Sequence, residues 1–171
     1  MIRILHQIFR TGIVTEPVPK ELPEIGEIGT QLQEAVWKRF SGSLTIRQVD
    51  AGSCNGCELE IHALNNAIYN CEKYGIHFTA SPRFADVLLV TGPVTHNMEI
   101  ALRRTYAATP APKLVVAVGD CGCNGGIFGE SYASLGGVDK VIPVDLIILG
   151  CPPTPTDLLW GLLKLMEKMG G

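Results

Sequence analysis

Lys113-Leu114-Val115-Val116-Ala117-Val118-Gly119-Asp120-Cys121-Gly122-Cys123 sets the fold of this chain. A run of apolar, largely β-branched residues stops at glycine, an acid and two cysteines, which is how a buried strand delivers a loop at its carboxyl end. Two other runs end the same way. Residues 43–49 lead to Cys54-Asn55-Gly56-Cys57, and residues 145–149 lead to Gly150-Cys151-Pro152-Pro153. Residues 77–80 and 86–91 are further short strands, while residues 65–74, 97–107 and 155–169 carry helical periodicity. This alternation predicts an α/β domain with a mainly parallel sheet and helices on both faces. In such a sheet the crevice forms outside the carboxyl ends of the strands, so three cysteine loops far apart in sequence are predicted to converge there.

A chain of 171 residues can bury a continuous core without disulfide staples. Hydrophobic residues at 46%, charged residues at 18% and a mean hydropathy of +0.22 predict a subunit partly covered by partners. A net charge of -3, a pI near 5.8 and no basic cluster interleaved with aromatics argue against nucleic acid. No apolar run approaches the roughly 20 residues that cross a bilayer, so membrane association is expected to be indirect or superficial. The first residues interrupt apolar positions with charge and offer no small-residue cleavage site, which predicts a cytoplasmic rather than a secreted chain. In that compartment the six cysteines stay reduced, and their spacing points to metal or redox chemistry.

Leu5, Ile8, Phe9 and Ile13 fall at helical spacing with Arg3, His6 and Arg10 elsewhere on the wheel, which predicts a short amphipathic helix over residues 2–12. Pro17, Pro19, Pro23, Gly26 and Gly29 predict extended chain over residues 15–29. A second helix is expected from Thr30, its possible N-cap, through Leu32, Val36, Trp37 and Phe40. Residues 1–42 are thus expected to form an N-terminal segment contacting partners, and residues 43–171 the α/β domain.

Thiolates in these loops could hold zinc or an iron–sulfur cluster, or be buried core thiols. Zinc ribbons usually repeat a paired Cys-x-x-Cys, whereas here one pair is joined by isolated cysteines much later in the chain, which favours a cluster. Gly56, Gly119, Gly122, Gly125, Gly126 and Gly150 would let backbone N–H groups approach cluster sulfides, one means of tuning potential.

Cys54-x-x-Cys57, Ser81-Pro82-Arg83-x-Ala85-Asp86, Gly119-x-Cys121-x-x-x-Gly125-Gly126-Ile127-Phe128 and Pro143-Val144-Asp145-x-x-x-x-Gly150-Cys151-Pro152-Pro153 together resemble the complex I 20-kilodalton subunit family, over residues 43–168. The resemblance implies a flavodoxin-like fold carrying one 4Fe-4S cluster, with Cys54, Cys57, Cys121 and Cys151 as its ligands. Complex I members resemble one another in having adjacent cysteines at the first ligand site. Cys54-Asn55-Gly56-Cys57-Glu58-Leu59-Glu60 instead looks like the small subunits of formate hydrogenlyase, carbon-monoxide-linked and energy-converting hydrogenases. That likeness implies an electron-transfer small subunit on the cytoplasmic side of the cell membrane, with no turnover of its own. Its partners would be a nickel–iron (NiFe) hydrogenase large subunit, a ferredoxin-like iron–sulfur subunit and membrane-arm subunits. The competing readings are a cluster subunit of a complex I-like quinone or sulfur reductase, and a zinc-bound structural adaptor.

Within the resemblance Arg83 matches an arginine beside the cluster, where a fixed positive charge would raise the potential; its structural reading is a partner for Asp86 or for a neighbouring subunit. Glu58 and Glu60 could relay protons, or could simply favour a helix N-terminus. The family pattern places the ligand at Cys121 rather than Cys123, and Cys71, in a helical pattern with Ile68 and Tyr69, is expected in the core. His62 and His96 lack a second histidine at ligand spacing, and the glycines of residues 119–129 lack the Gly-Lys-Ser/Thr of a phosphate loop.

Overall fold

A computed structural model describes residues 2–11 and 25–169. Along the chain lie α1 (Ile2–Thr11), α2 (Ile25–Phe40), β1 (Leu44–Asp50), α3 (Gly56–Ala63), β2 (Ile76–Phe78), β3 (Val87–Thr91) and β4 (Val94–Thr95). There follow α4 (His96–Ala108), β5 (Leu114–Val118), α5 (Gly119–Asn124), β6 (Ser134–Gly136), β7 (Leu146–Ile148) and α6 (Pro155–Lys168). Five strands pair in parallel in the order β2-β1-β3-β5-β7. Counted among themselves they run 2-1-3-4-5, the doubly wound order of flavodoxin. β4 and β6 form a small antiparallel pair that the sequence did not announce.

Both faces of the sheet are covered, which is why β3 and β5 read as unbroken apolar runs. Val87, Leu89, Val116 and Val118 point to one face and pack with Leu32 and Val36 of α2, Ile61 of α3 and Leu159 and Leu162 of α6. Leu88, Val90, Val115 and Ala117 point to the other and pack with Leu102 of α4 and Val138. Two acids pin the amino ends of strands across the sheet. The Asp86 carboxylate accepts the Thr45 N–H at 2.9 Å, and that of Asp145 accepts the Val115 N–H at 2.8 Å.

Three local expectations need correction. α2 begins at Ile25, so residues 25–29 are helical rather than extended, and Thr30 is not an N-cap: its hydroxyl donates to the Gly26 carbonyl at 2.8 Å inside the helix. The reason is packing, since Ile28, Leu32 and Val36 form a buried stripe that outweighs the roughly 1 kcal/mol each glycine costs a helix. The stripe joins α2 to the core of the α/β body. Residues 65–74 are not an α-helix either. The Asn66 side chain accepts from the N–H groups of Ile68 and Tyr69, a local turn that competes with helix, and only a 3-10 turn at Cys71–Tyr74 remains. The helix lies earlier, at α3. The expected extension over residues 15–24, and Ile13, lie outside the described residues.

Leu32 is fully buried, so Leu32→Ala is expected to cost about 2–5 kcal/mol in denaturant unfolding. A loss below about 0.5 kcal/mol, the size of an ordinary surface substitution, would place α2 outside the cooperative core.

Candidate iron–sulfur site

The three cysteine loops leave the carboxyl ends of β1, β5 and β7 and are each folded by local polar contacts. After β1, the Asp50 carboxylate accepts the N–H groups of Gly52 at 2.7 Å and Ser53 at 2.8 Å, and the Ser53 hydroxyl accepts that of Asn55. Asn55 takes a left-handed conformation with φ of 71°, which turns the chain into α3 and sets Cys57 in its first turn. After β5 the chain passes straight into α5, with Cys121 in the first turn and the Asn124 side chain holding the Gly126 N–H. After β7, Gly150 and Cys151 precede Thr154, which caps α6 by accepting the Asp157 N–H while Asp157 accepts that of Thr154.

The loops touch one another around the sulfurs. A Cβ added at Gly119 would stand 2.8 Å from the Cys57 sulfur and 3.3 Å from the Gly150 carbonyl oxygen. At Gly126 it would meet the Cys121 sulfur at 2.7 Å. Glycine is needed at both, because both also have positive φ. Cys57 is buried, Cys121 half-buried, and Cys54 and Cys151 exposed.

Electrostatics groups the same four thiols. Burial first, then the charge of Glu58 and the neighbouring Cys121, Cys54 and Cys151, pushes the Cys57 thiol up to about 12. Cys121 is raised by burial, then by Cys151, Cys54 and Asp120. At neutral pH Cys57 is therefore a thiol, and ligating a metal group would release its proton. Cys123 acts on neither. Cys71 lies apart in the core, raised to about 11 by burial, with its sulfur 3.1 Å from the Asn65 side-chain oxygen. No three histidine, cysteine or carboxylate side chains among the described residues are arranged to hold a single metal ion. Mononuclear zinc would need its ligands to close at about 2.3 Å on one point. A polynuclear cluster, which interposes iron and sulfide between its thiolates, fits a donor set that is shared but open.

The remaining candidates separate. Glu58 is buried with both carboxylate oxygens unpartnered among the described residues, whereas Glu60 is half-buried. Arg83 is exposed in the 3-10 turn Pro82–Phe84 that leads into β3, on the amino side of that strand, while the cysteine loops follow carboxyl ends. No ion pair joins it to Asp86 among the described residues. His62 borders a cavity of about 240 Å³ with Arg47 and Asn65, and His96 opens α4. Sequence reasoning missed the loop-fixing role of Asp50 and Asp120. Their signal was an acid at or just past the end of each of two strands that lead into a cysteine loop.

Comparison with known proteins shows the family. Residues 54–165 match the family described as NADH ubiquinone oxidoreductase, 20 Kd subunit. Formate hydrogenlyase subunit 7 of Escherichia coli is 41% identical over 89% of this chain, which spans 60% of that protein's length. A probable membrane-bound hydrogenase subunit of Pyrococcus furiosus is 44% identical over 71% of this chain and 72% of its own. Among solved structures, a chain of an archaeal membrane-bound sulfane sulfur reductase superposes with a TM-score of 0.67 at 39% identity, covering 80% of this chain and 75% of that one. The chain belongs to the NADH ubiquinone oxidoreductase 20 Kd subunit family.

Proposed function

We propose that this chain is the electron-transfer small subunit of a membrane-associated NiFe hydrogenase complex, with Cys54, Cys57, Cys121 and Cys151 holding one 4Fe-4S cluster. What supports the reading is that the loops carrying these cysteines follow β1, β5 and β7 and pack on one another at Gly119, against Cys57 and Gly150, and at Gly56, beside Cys54 and Pro152, with Cys54, Cys121 and Cys151 the thiols that act on Cys57. A 4Fe-4S cluster there supplies one-electron transfer. The chain's own part is to hold the four sulfurs, to keep water from the Cys57 side and to present the rim to a partner.

The rim supports a protein cover. Ile127 is 91% exposed, and Phe128 and Leu59 are also exposed, all within three residues of Cys57 or of the glycine beside the Cys121 sulfur. Apolar surface collected around a redox site marks an interface, here assigned to the large subunit that carries nickel and iron. Glu58, enclosed and unpartnered, fits a proton relay toward that subunit better than Glu60, and the exposed Arg83 is available to a neighbour. The ferredoxin-like subunit would exchange electrons with the cluster.

No helix among the described residues is long and apolar enough to cross a membrane. α1 exposes Ile4, Leu5 and Phe9 along one side and Arg3 and Arg10 along another, which supports an N-terminal segment, residues 1–42, that contacts partners and membrane-arm subunits at the cytoplasmic face. The structural match to a sulfane sulfur reductase complex favours a second reading, in which the same relay serves a quinone or sulfur reductase.

Metal analysis of the complex purified through this chain separates them. Nickel together with iron, and a large subunit with two Cys-x-x-Cys motifs, is the expected result. Iron without nickel would move the chain to the reductase reading, and zinc without iron would end both.

A further inference from the structure

We infer that Asp120 is a positioning residue that fixes the Cys121 loop against the Cys151 loop through a paired hydrogen bond to Gly150, an inference that rests on the cluster reading above. The Asp120 N–H donates to the Gly150 carbonyl at 3.0 Å, and the Gly150 N–H donates to the Asp120 carboxylate at 3.0 Å. One residue thus satisfies both backbone polar groups of the other. Each immediately precedes a sulfur of the site, so the bond joins the chain at the nearest points that carry no ligand.

The register explains why a side chain is needed. β5 and β7 pair Val116 with Leu146, Ala117 with Ile147 and Val118 with Ile148, and the Asp120–Gly150 pair keeps the same offset one step beyond. At Gly119 the backbone turns into α5, so its next carbonyl points along the helix and can no longer accept from β7. The Asp120 carboxylate takes the place of that missing strand carbonyl. It carries the ladder past the end of the sheet to the height of the sulfurs. Among the described residues no hydrogen bond ties the first loop to the other two cysteine loops: Asp50 folds it on itself, and it meets them by packing at Gly119 and at Gly56 beside Pro152. The spacing of Cys121 and Cys151 therefore depends on Asp120.

The geometry also says what each substitution removes. Asp120→Asn keeps an oxygen acceptor at the same reach and deletes only charge. Asp120→Ala leaves the Gly150 N–H without its acceptor, and Asp120→Glu keeps the charge but moves the oxygen by one methylene.

The test is made on the purified complex, by iron content and low-temperature electron paramagnetic resonance of the reduced cluster. Asp120→Asn is expected to match wild type in occupancy and in g values, with a shifted midpoint potential as the only change. Asp120→Ala is expected to lose occupancy by about fivefold or more, the scale of effect of one orphaned donor. If Asp120→Ala fails to assemble, Asp120→Glu decides, with altered g values expected in a folded, cluster-bearing protein. Wild-type g values in Asp120→Glu, wild-type occupancy and g values in Asp120→Ala, or Asp120→Asn losing as much cluster as Asp120→Ala, would each overturn the inference. Wild-type protein without an iron–sulfur signal would overturn the cluster reading itself, a different result from any of these.

Discussion

Cys121→Ala is expected to strip the cluster from the purified complex almost completely, while Cys123→Ser and Cys71→Ser leave the iron content unchanged. The three thiols differ in place, not in chemistry. Cys121 and Cys123 both lie in α5, and two residues apart on a helix are about 200° apart around its axis, so they cannot serve one site from the same side. Cys121 raises Cys57 and is itself raised by Cys151 and Cys54, whereas Cys123 and Cys71 act on neither. Cys71 sits in the core beside Asn65 and Ile76, remote from the rim. Iron and acid-labile sulfide per chain, with visible absorption, measure the outcome. A cluster retained in Cys121→Ala, or lost in Cys123→Ser, would undo the ligand assignment.

Gly119→Ala should be nearly as damaging, although it adds one methyl group. Gly119 has φ of +80°, and a non-glycine residue held there costs on the order of 1–3 kcal/mol. The new Cβ would also press on the Cys57 sulfur at 2.8 Å. A thiol that gives way by rotating about its χ1 would leave its present place in the site. Gly129→Ala provides the control, because Gly129 has φ of +53° with nothing within 4 Å of its added Cβ. It bears the backbone strain without the collision. Gly119→Ala is expected to lose the cluster as well as thermal stability, and Gly129→Ala to lose only stability. Equal cluster content in the two variants would mean that the contact at Cys57 does not hold the site.

The parts of the molecule that were legible in the sequence are those where one physical demand ruled. Strands buried on both faces must be apolar throughout, so β3 and β5 were readable to within a residue of their ends, and the loop that follows β5 came with its cysteines. Short or conditional elements were not. α3 has no side-chain cap and starts from a left-handed asparagine, so its sequence looked like loop. β4 and β6 pair Thr95 with Ser134 across a long stretch of chain, with too few residues to show alternation. α2 defied its two glycines because burial of Ile28, Leu32 and Val36 decided its start. At the site, the cysteines were visible as types and spacings, but the ties between loops were not. The bond from Asp120 to Gly150 exists only because β5 and β7 are neighbours, and adjacency in a sheet is not written in local sequence.

The distribution of the site over β1, β5 and β7 also dictates an order of manufacture. Cys54 and Cys57 leave the ribosome well before β7 can take its place beside β5, and Cys151 follows β7. A nascent chain that stops short of Cys151 cannot offer four sulfurs at one point. With the proposed ligand set, loading with iron would therefore wait until Cys151 has emerged and β7 has taken its place beside β5. The same rim is the face proposed for the large subunit, so on that reading loading would also come before docking. Between those two events the cell has a window in which an empty chain can be told from a filled one, and the exposed sulfurs of Cys54 and Cys151 are what a maturation factor would find there.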